Sequence, residues 1–245
     1  MPLCLVALGS NRGDPNAALS NAIAQLQRIA IKGSLVESAR HETTPVGGPA
    51  GQSVFLNAVA RFQTEASPVE VLEACQQTER LIGPRDSVRW SARVLDLDLL
   101  AYDDLVIETP ALRVPHPRLS FRPFVLRPAA EVAPDWQHPE LGATLAGLLA
   151  KLENPPQRVA LCGARRTVEL LRTLVEASTE PRGVALDVRE SETLASGSPP
   201  VGLWIDATVE GLATAAPRLR IADCDPQRVD EEIAAAIECV WPARG

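Results

Sequence analysis

Apolar positions fall along this chain in blocks of differing period. The first block, Leu3-Cys4-Leu5-Val6-Ala7-Leu8, is continuous and predicts a buried strand turned by Gly9-Ser10-Asn11. Asp14-Pro15 then offers a cap and a first-turn proline to a helix with Leu19, Ile23, Leu26 and Ala30 as its buried stripe. Ser34 to His41 is expected to form a second strand. Thr43-Thr44-Pro45-Val46-Gly47-Gly48-Pro49 follows as a loop, because adjacent glycines and flanking prolines break both periods. From Val54 to Thr64 the chain alternates. Val54, Leu56, Ala58, Ala60 and Phe62 take one face, and Phe55, Asn57, Val59 and Arg61 take the other. Ser67-Pro68-Val69-Glu70 is a capping box with proline at the first helical position. The helix it opens runs to about Ile82 and stops at Gly83-Pro84. Leu72, Cys75 and Ile82 face its core, and Gln76 and Glu79 share a flank.

A second buried run, Val94-Leu95-Asp96-Leu97-Asp98-Leu99-Leu100, is interrupted only by two carboxylates. Strand alternation puts Asp96 and Asp98 on one face, where they repel unless they face water or share a cation. Asp103-Asp104 marks a turn, and Leu145 to Leu152 a short helix. Glu153-Asn154-Pro155-Pro156 reads as a linker. Beyond it, strands at Arg158 to Cys162, Val184 to Val188, Val201 to Ile205 and Leu219 to Ala222 alternate with helices at Val168 to Ala177 and Val229 to Val240. That alternation predicts a small α/β domain with a short parallel sheet over 157–245, after a larger domain over 1–153.

Composition narrows the classes. With 46% hydrophobic and 22% charged residues the chain reads as soluble and globular, and a net charge of −7 disfavours a nucleic-acid surface. The apolar start is too short to span a membrane and has no preceding Lys or Arg. Five scattered cysteines without metal or redox spacing are expected to be reduced core thiols of a cytoplasmic protein. Gly163-Ala164-Arg165-Arg166-Thr167 lies between a strand and a helix but lacks the second glycine and the lysine of a phosphate loop, so a scaffold or a dimer surface is the expectation there. Oligomeric state is left open.

The chemistry concentrates in Arg89-Trp90-Ser91-Ala92-Arg93-Val94-Leu95-Asp96-Leu97-Asp98-Leu99-Leu100. Arginine forks match phosphate oxygens, a tryptophan offers a flat face, and a carboxylate pair suits Mg²⁺. Phe55 and Asn57, two apart on one strand face, join a stacking platform to a donor–acceptor pair; taken alone they also read as a core Phe beside an edge Asn. The pattern Arg-Trp-x-x-Arg-x-x-Asp-Leu-Asp-Leu-Leu resembles the signature of the 6-hydroxymethyl-7,8-dihydropterin pyrophosphokinase family. The Gly-Ser-Asn opening and the Leu126-Arg127-Pro128 segment extend the resemblance over about residues 1–150.

The resemblance implies a ferredoxin-like α+β domain that transfers pyrophosphate from ATP to a pterin hydroxymethyl group in folate biosynthesis, with two Mg²⁺ held by Asp96 and Asp98. It implies Arg93, Asp96, Asp98 and Arg85 as catalytic groups. Gln76, Glu79, Arg89, Trp90, Arg93, Leu99, Leu112, His116 and Arg122 would meet ATP. Thr44, Pro45, Gly47, Phe55, Asn57, Trp90 and Phe124 would meet the pterin, with Phe55 and Phe124 as its two walls. The loop Gly83-Pro84-Arg85-Asp86 departs from the family's Gly-Arg-x-Arg: Pro84 and Asp86 stand where arginines are usual, and Arg85 falls between them. That departure, with the unexplained C-terminal part, keeps a second reading open: a catalytically silent ATP- or pterin-binding protein whose C-terminal domain serves an interaction.

Overall fold

A computed structural model describes residues 1–83, 91–190, 200–208 and 214–242. The chain runs β1 (Leu3–Ser10), α1 (Pro15–Leu26), β2 (Val36–Glu37), β3 (His41–Thr43), β4 (Phe55–Gln63), α2 (Pro68–Ile82) and β5 (Asp96–Tyr102). It continues β6 (Ile107–Glu108), β7 (Arg113–Val114), α3 (Pro123–Val132), α4 (Leu145–Glu153), β8 (Arg158–Gly163) and α5 (Arg165–Thr179). It ends with β9 (Ala185–Glu190), β10 (Leu203–Ala207), β11 (Arg218–Arg220) and α6 (Val229–Val240). The result is a mixed α/β architecture in which the described residues form a large antiparallel sheet, a parallel sheet and the small antiparallel pair β6-β7.

The antiparallel sheet has the order β2-β4-β1-β5, with β3 also on β4. Helices α1 and α2 cover one face. Cys4, Val6, Leu8, Ala58, Ala60, Phe62, Leu97 and Leu99 meet Leu19, Leu26, Val71 and Cys75 there. Both helices start as the sequence predicts: Asp14 Oδ1 accepts from Ala17 N at 3.0 Å, and Ser67 and Glu70 form the full capping box. The stop of α2 has another cause than a left-handed glycine cap. Gly83 is extended, and a Cβ there would lie 2.7 Å from the Val94 Cβ, so glycine is needed for the strand entry to pack.

Two expectations are corrected. The Ser34–His41 strand is broken into β2 and β3, because the Ser38 hydroxyl accepts from Val59 N at 3.0 Å and so takes a ladder position from the backbone. Ala30 lies beyond the end of α1 and bridges to Thr64 instead of extending the helix stripe. The segment Pro123–Val132 is a helix despite Pro128 within it; it packs on β4 and β1 from the face opposite α1 and α2.

The second sheet is wholly parallel, in the order β11-β10-β8-β9. Its two central strands, β8 and β10, are near-continuous apolar runs, as parallel strands buried between layers require, whereas the edge strands β9 and β11 are at least half charged. Val159, Leu161, Leu203 and Ile205 join Leu119, Phe121, Leu126, Leu148 and Ile237 in a single apolar cluster, so the two sheets share one core. Around it, Arg118 pairs with Glu232, Arg113 with Asp223, and Arg218 with Glu140. All five cysteines are free and buried, as expected. Among the described residues no helix is long and apolar enough to cross a membrane.

Candidate active site

The site lies on the α3 side of the antiparallel sheet, and strand register builds it. Gly9 stands between Asn57 and Asp96, and Ala7 between Val59 and Asp98. Neighbouring strands are about 4.8 Å apart, so Asn57 and Asp96 lie about 10 Å apart across the one small residue between them. A Cβ on Gly9 would sit 3.1 Å from Asn57 Oδ1. Glycine therefore keeps the floor between the amide and the carboxylate open.

A cavity of about 290 Å³ opens over this floor. Phe55 and Phe124 line it with Thr44, Pro45, Val46 and Gly47. Asn57 stands beside them, only 8% exposed, and donates to Thr43 Oγ1 at 2.7 Å. Arg93, Asp96, Asp98, His116, Arg118 and Arg122 line the same cavity, with Arg122 next to Phe124.

Each charged group is held from its own element. Asn11, buried just after β1, accepts from Arg93 N at 2.7 Å through its side-chain oxygen and donates its own backbone N–H to Arg93 O at 3.0 Å. Arg93 Nη1 in turn pairs with Asp96 Oδ1. Glu79 on α2 accepts from Leu97 N at 2.9 Å, so it fixes the peptide between the two aspartates. Asp96 and Asp98 share a face as the alternation predicts, and the Asp98 side chain is 38% exposed. His116 Nδ1 accepts from Arg118 N at 3.2 Å, which leaves the ring hydrogen on Nε2, 3.9 Å from Asp98 Oδ2. Burial first, then Arg122 and Arg118, push the imidazole down to about 3, so it acts as a neutral donor near pH 7. The Arg122 guanidinium lies 5.6 Å over the Phe124 ring; burial, and next Arg118, lower it from its usual value.

The structure thus gathers Thr44, Pro45, Gly47, Phe55, Asn57, Arg93, Asp96, Asp98, His116, Arg122 and Phe124 around one cavity. Gln76, Glu79, Leu99 and Leu112 do not line it. Gln76 is exposed on α2, and Glu79 is spent on the β5 backbone. Leu99 and Leu112 point into the core shared with α1 and α2. Arg85, Arg89 and Trp90, with Pro84 and Asp86, lie outside the described residues. Sequence reasoning missed the sites of Asn11, Arg118, Glu232, Ala235, Ala236 and Cys239. Asn11 was signalled by the Gly-Ser-Asn turn. The others had no local signal.

Among the described residues no group of three or more His, Cys, Asp or Glu gathers. Asp96 and Asp98 offer a pair of hard carboxylate oxygens on one strand face. That set suits Mg²⁺, which takes one or two carboxylates and completes its octahedron with water and phosphate oxygens.

A donor–acceptor amide beside two phenylalanines thus shares one cavity with a carboxylate pair and an arginine cluster. The match to known proteins is specific: the chain belongs to the 7,8-dihydro-6-hydroxymethylpterin-pyrophosphokinase (HPPK) family, whose model matches residues 5–134. A Pseudomonas aeruginosa protein called 2-amino-4-hydroxy-6-hydroxymethyldihydropteridine pyrophosphokinase is 37% identical over 145 residues, 59% of this chain and 88% of that one. Its Bacillus subtilis namesake is 42% identical over 130 residues, 53% of this chain and 77% of that one. A crystal structure of Plasmodium falciparum HPPK-DHPS, wild type, aligns with a TM-score of 0.49 at 12% identity, over 79% of this chain and 58% of that one.

Proposed function

We propose that this protein transfers pyrophosphate from ATP to 6-hydroxymethyl-7,8-dihydropterin, giving the pterin diphosphate and AMP, in folate biosynthesis. Family membership supports the reaction. The observation that carries it in the structure is a single cavity joining a Phe55–Phe124–Asn57 slot to the Asp96–Asp98 pair and the cluster of Arg93, His116 and Arg122. The silent-binding alternative is not favoured.

The chemistry asks little covalent work of the protein. The hydroxymethyl oxygen attacks the β-phosphorus in line; its bond to phosphorus forms as the bond from the β-phosphorus to the α-phosphate oxygen breaks, AMP leaves, and the hydroxyl proton is released to solvent. Phe55 and Phe124 hold the ring by stacking, and Asn57 sets its rotation with the amide groups not bound to Thr43. Arg93 and Arg122 neutralise the triphosphate, and His116 donates from Nε2. Asp96 and Asp98 would hold Mg²⁺, which when bound offsets phosphate charge. Asn11 and Glu79 keep Arg93 and the aspartates in register.

The finer reading of the architecture belongs to the same proposal. β1-α1-β2/β3-β4-α2-β5 in the order β5-β1-β4-β2 is a ferredoxin-like arrangement over a unit of 1–153, followed by the unit 157–245 in a cytoplasmic protein. Purified protein with ATP, Mg²⁺ and the pterin should form AMP. Asp96→Ala or Asp98→Ala, and chelation of the wild type, should abolish it while the fold persists. Wild-type rates in chelator, or binding of both substrates without AMP, would sink the proposal.

A further inference from the structure

The cavity has a wall that the family match does not reach. The matched span ends at residue 134, yet Glu232, Ala235, Ala236 and Cys239 line the cavity from α6. These positions follow i, i+3, i+4, i+7, which is one face of a helix. The neighbouring face, with Ile233, Ile237 and Val240, is buried in the core that α6 shares with Leu119, Phe121 and the parallel sheet. The helix is therefore fixed against the site by the same packing that joins the two sheets.

Glu232 is the polar residue on that wall, and it is only 2% exposed. A buried carboxylate is costly unless paired and hydrogen-bonded. Arg118 supplies the pair in the two-pronged form: Nε donates to Oε2 at 2.9 Å, and Nη2 to Oε1 at 2.6 Å. Arg118 lines the cavity itself and bears on His116 and Arg122 electrostatically. Its backbone N–H also selects the His116 tautomer. One carboxylate from the C-terminal unit thus orders the segment that carries cationic groups of the site.

We infer that α6 is a working part of the pyrophosphokinase site, in which Glu232 is a positioning residue that orients Arg118 toward the triphosphate and the Ala235 face limits the room for substrate. This inference rests on the pyrophosphokinase reading above.

The charge balance gives it a distinctive signature. Glu232→Gln removes one negative charge beside a polyanion site, so attraction for ATP holds or rises. The same change frees the Arg118 fork, and a misplaced group at a reacting centre costs on the order of 10- to 100-fold. The expected result is a kcat lower by that factor with an ATP KM unchanged or reduced, and partial recovery in Glu232→Asp. A merely structural ion pair would shift the melting temperature and leave the kinetics of the folded enzyme alone.

The test is steady-state AMP formation by the full chain, with thermal melts of every variant. Glu231→Gln, on the exposed side of α6, is the charge control and should match wild type. Ala235→Leu, which adds bulk to the wall without touching the ion pair, should raise KM for one of the substrates by about tenfold; it keeps the inference open to refutation if Glu232→Gln fails to fold. Unchanged kcat and KM in folded Glu232→Gln, or unchanged kinetics in Ala235→Leu, overturn the role of α6. Absence of AMP with the wild type overturns the pyrophosphokinase reading itself and is seen before any variant is made.

Discussion

Asn57→Ala tests recognition in the cavity most directly. The amide is nearly buried, and one of its N–H groups is bound to Thr43 Oγ1. Its Oδ1 faces the bare floor at Gly9, within 3.1 Å of where a Cβ would be. Oδ1 and the second N–H are the groups left to meet the heterocycle. Replacing them with a methyl strands their partners on a buried ligand, at about 1–3 kcal/mol for an unsatisfied group. A total of about 2–3 kcal/mol corresponds to about 30- to 150-fold in pterin Kd. Thr43→Val keeps both groups and loses only the bond that orients them, so about 1 kcal/mol is at stake, or about fivefold in Kd. Calorimetry with the pterin, and separately with a non-hydrolysable ATP analogue, reads both variants. The ATP analogue should bind each as it binds wild type, because the Asp96–Asp98 pair lies two strands away. Equal losses for both ligands in Asn57→Ala, or no loss for the pterin, would refute the assignment.

Two further predictions concern stability. His138 is 5% exposed with an unpartnered Nδ1, and burial, followed by Arg218, pushes it down to about 4. The unfolded ring titrates near 6.5. Between these values the unfolded chain holds a proton that the folded chain refuses, so stability is full above pH 6.5 and falls as pH drops toward 4. His138→Gln should flatten part of that acid slope in urea titrations, with the His116 share remaining; a variant slope equal to wild type would count against it. Gly83→Ala should destabilise the junction of α2 and β5 by about 1–3 kcal/mol, as overpacking does, since its Cβ meets Val94 at 2.7 Å. An unshifted melt in Gly83→Ala would show that the junction yields.

What the sequence determined by itself are the features that depend on neighbours along the chain. The Ser67–Glu70 box, the shared face of Asp96 and Asp98, and the alternation that puts Phe55 beside Asn57 follow from local backbone geometry, and the structure keeps them. The four strands of the parallel sheet were legible too, from short stretches with an apolar centre alternating with helical patterns. Tertiary structure alone decided which groups meet. Gln76 and Glu79 share a helix flank, yet one is exposed and the other clasps Leu97 N, since the flank is set by where β5 lies against α2. Gly9 gained its place between Asn57 and Asp96 from strand register. Glu232 is one of three acids in the first turn of α6, and only the packing of α6 into the common core brings it to Arg118, more than a hundred residues away. Periodicity fixes which way a side chain faces; what lies opposite depends on long-range packing, which leaves no local trace in the sequence.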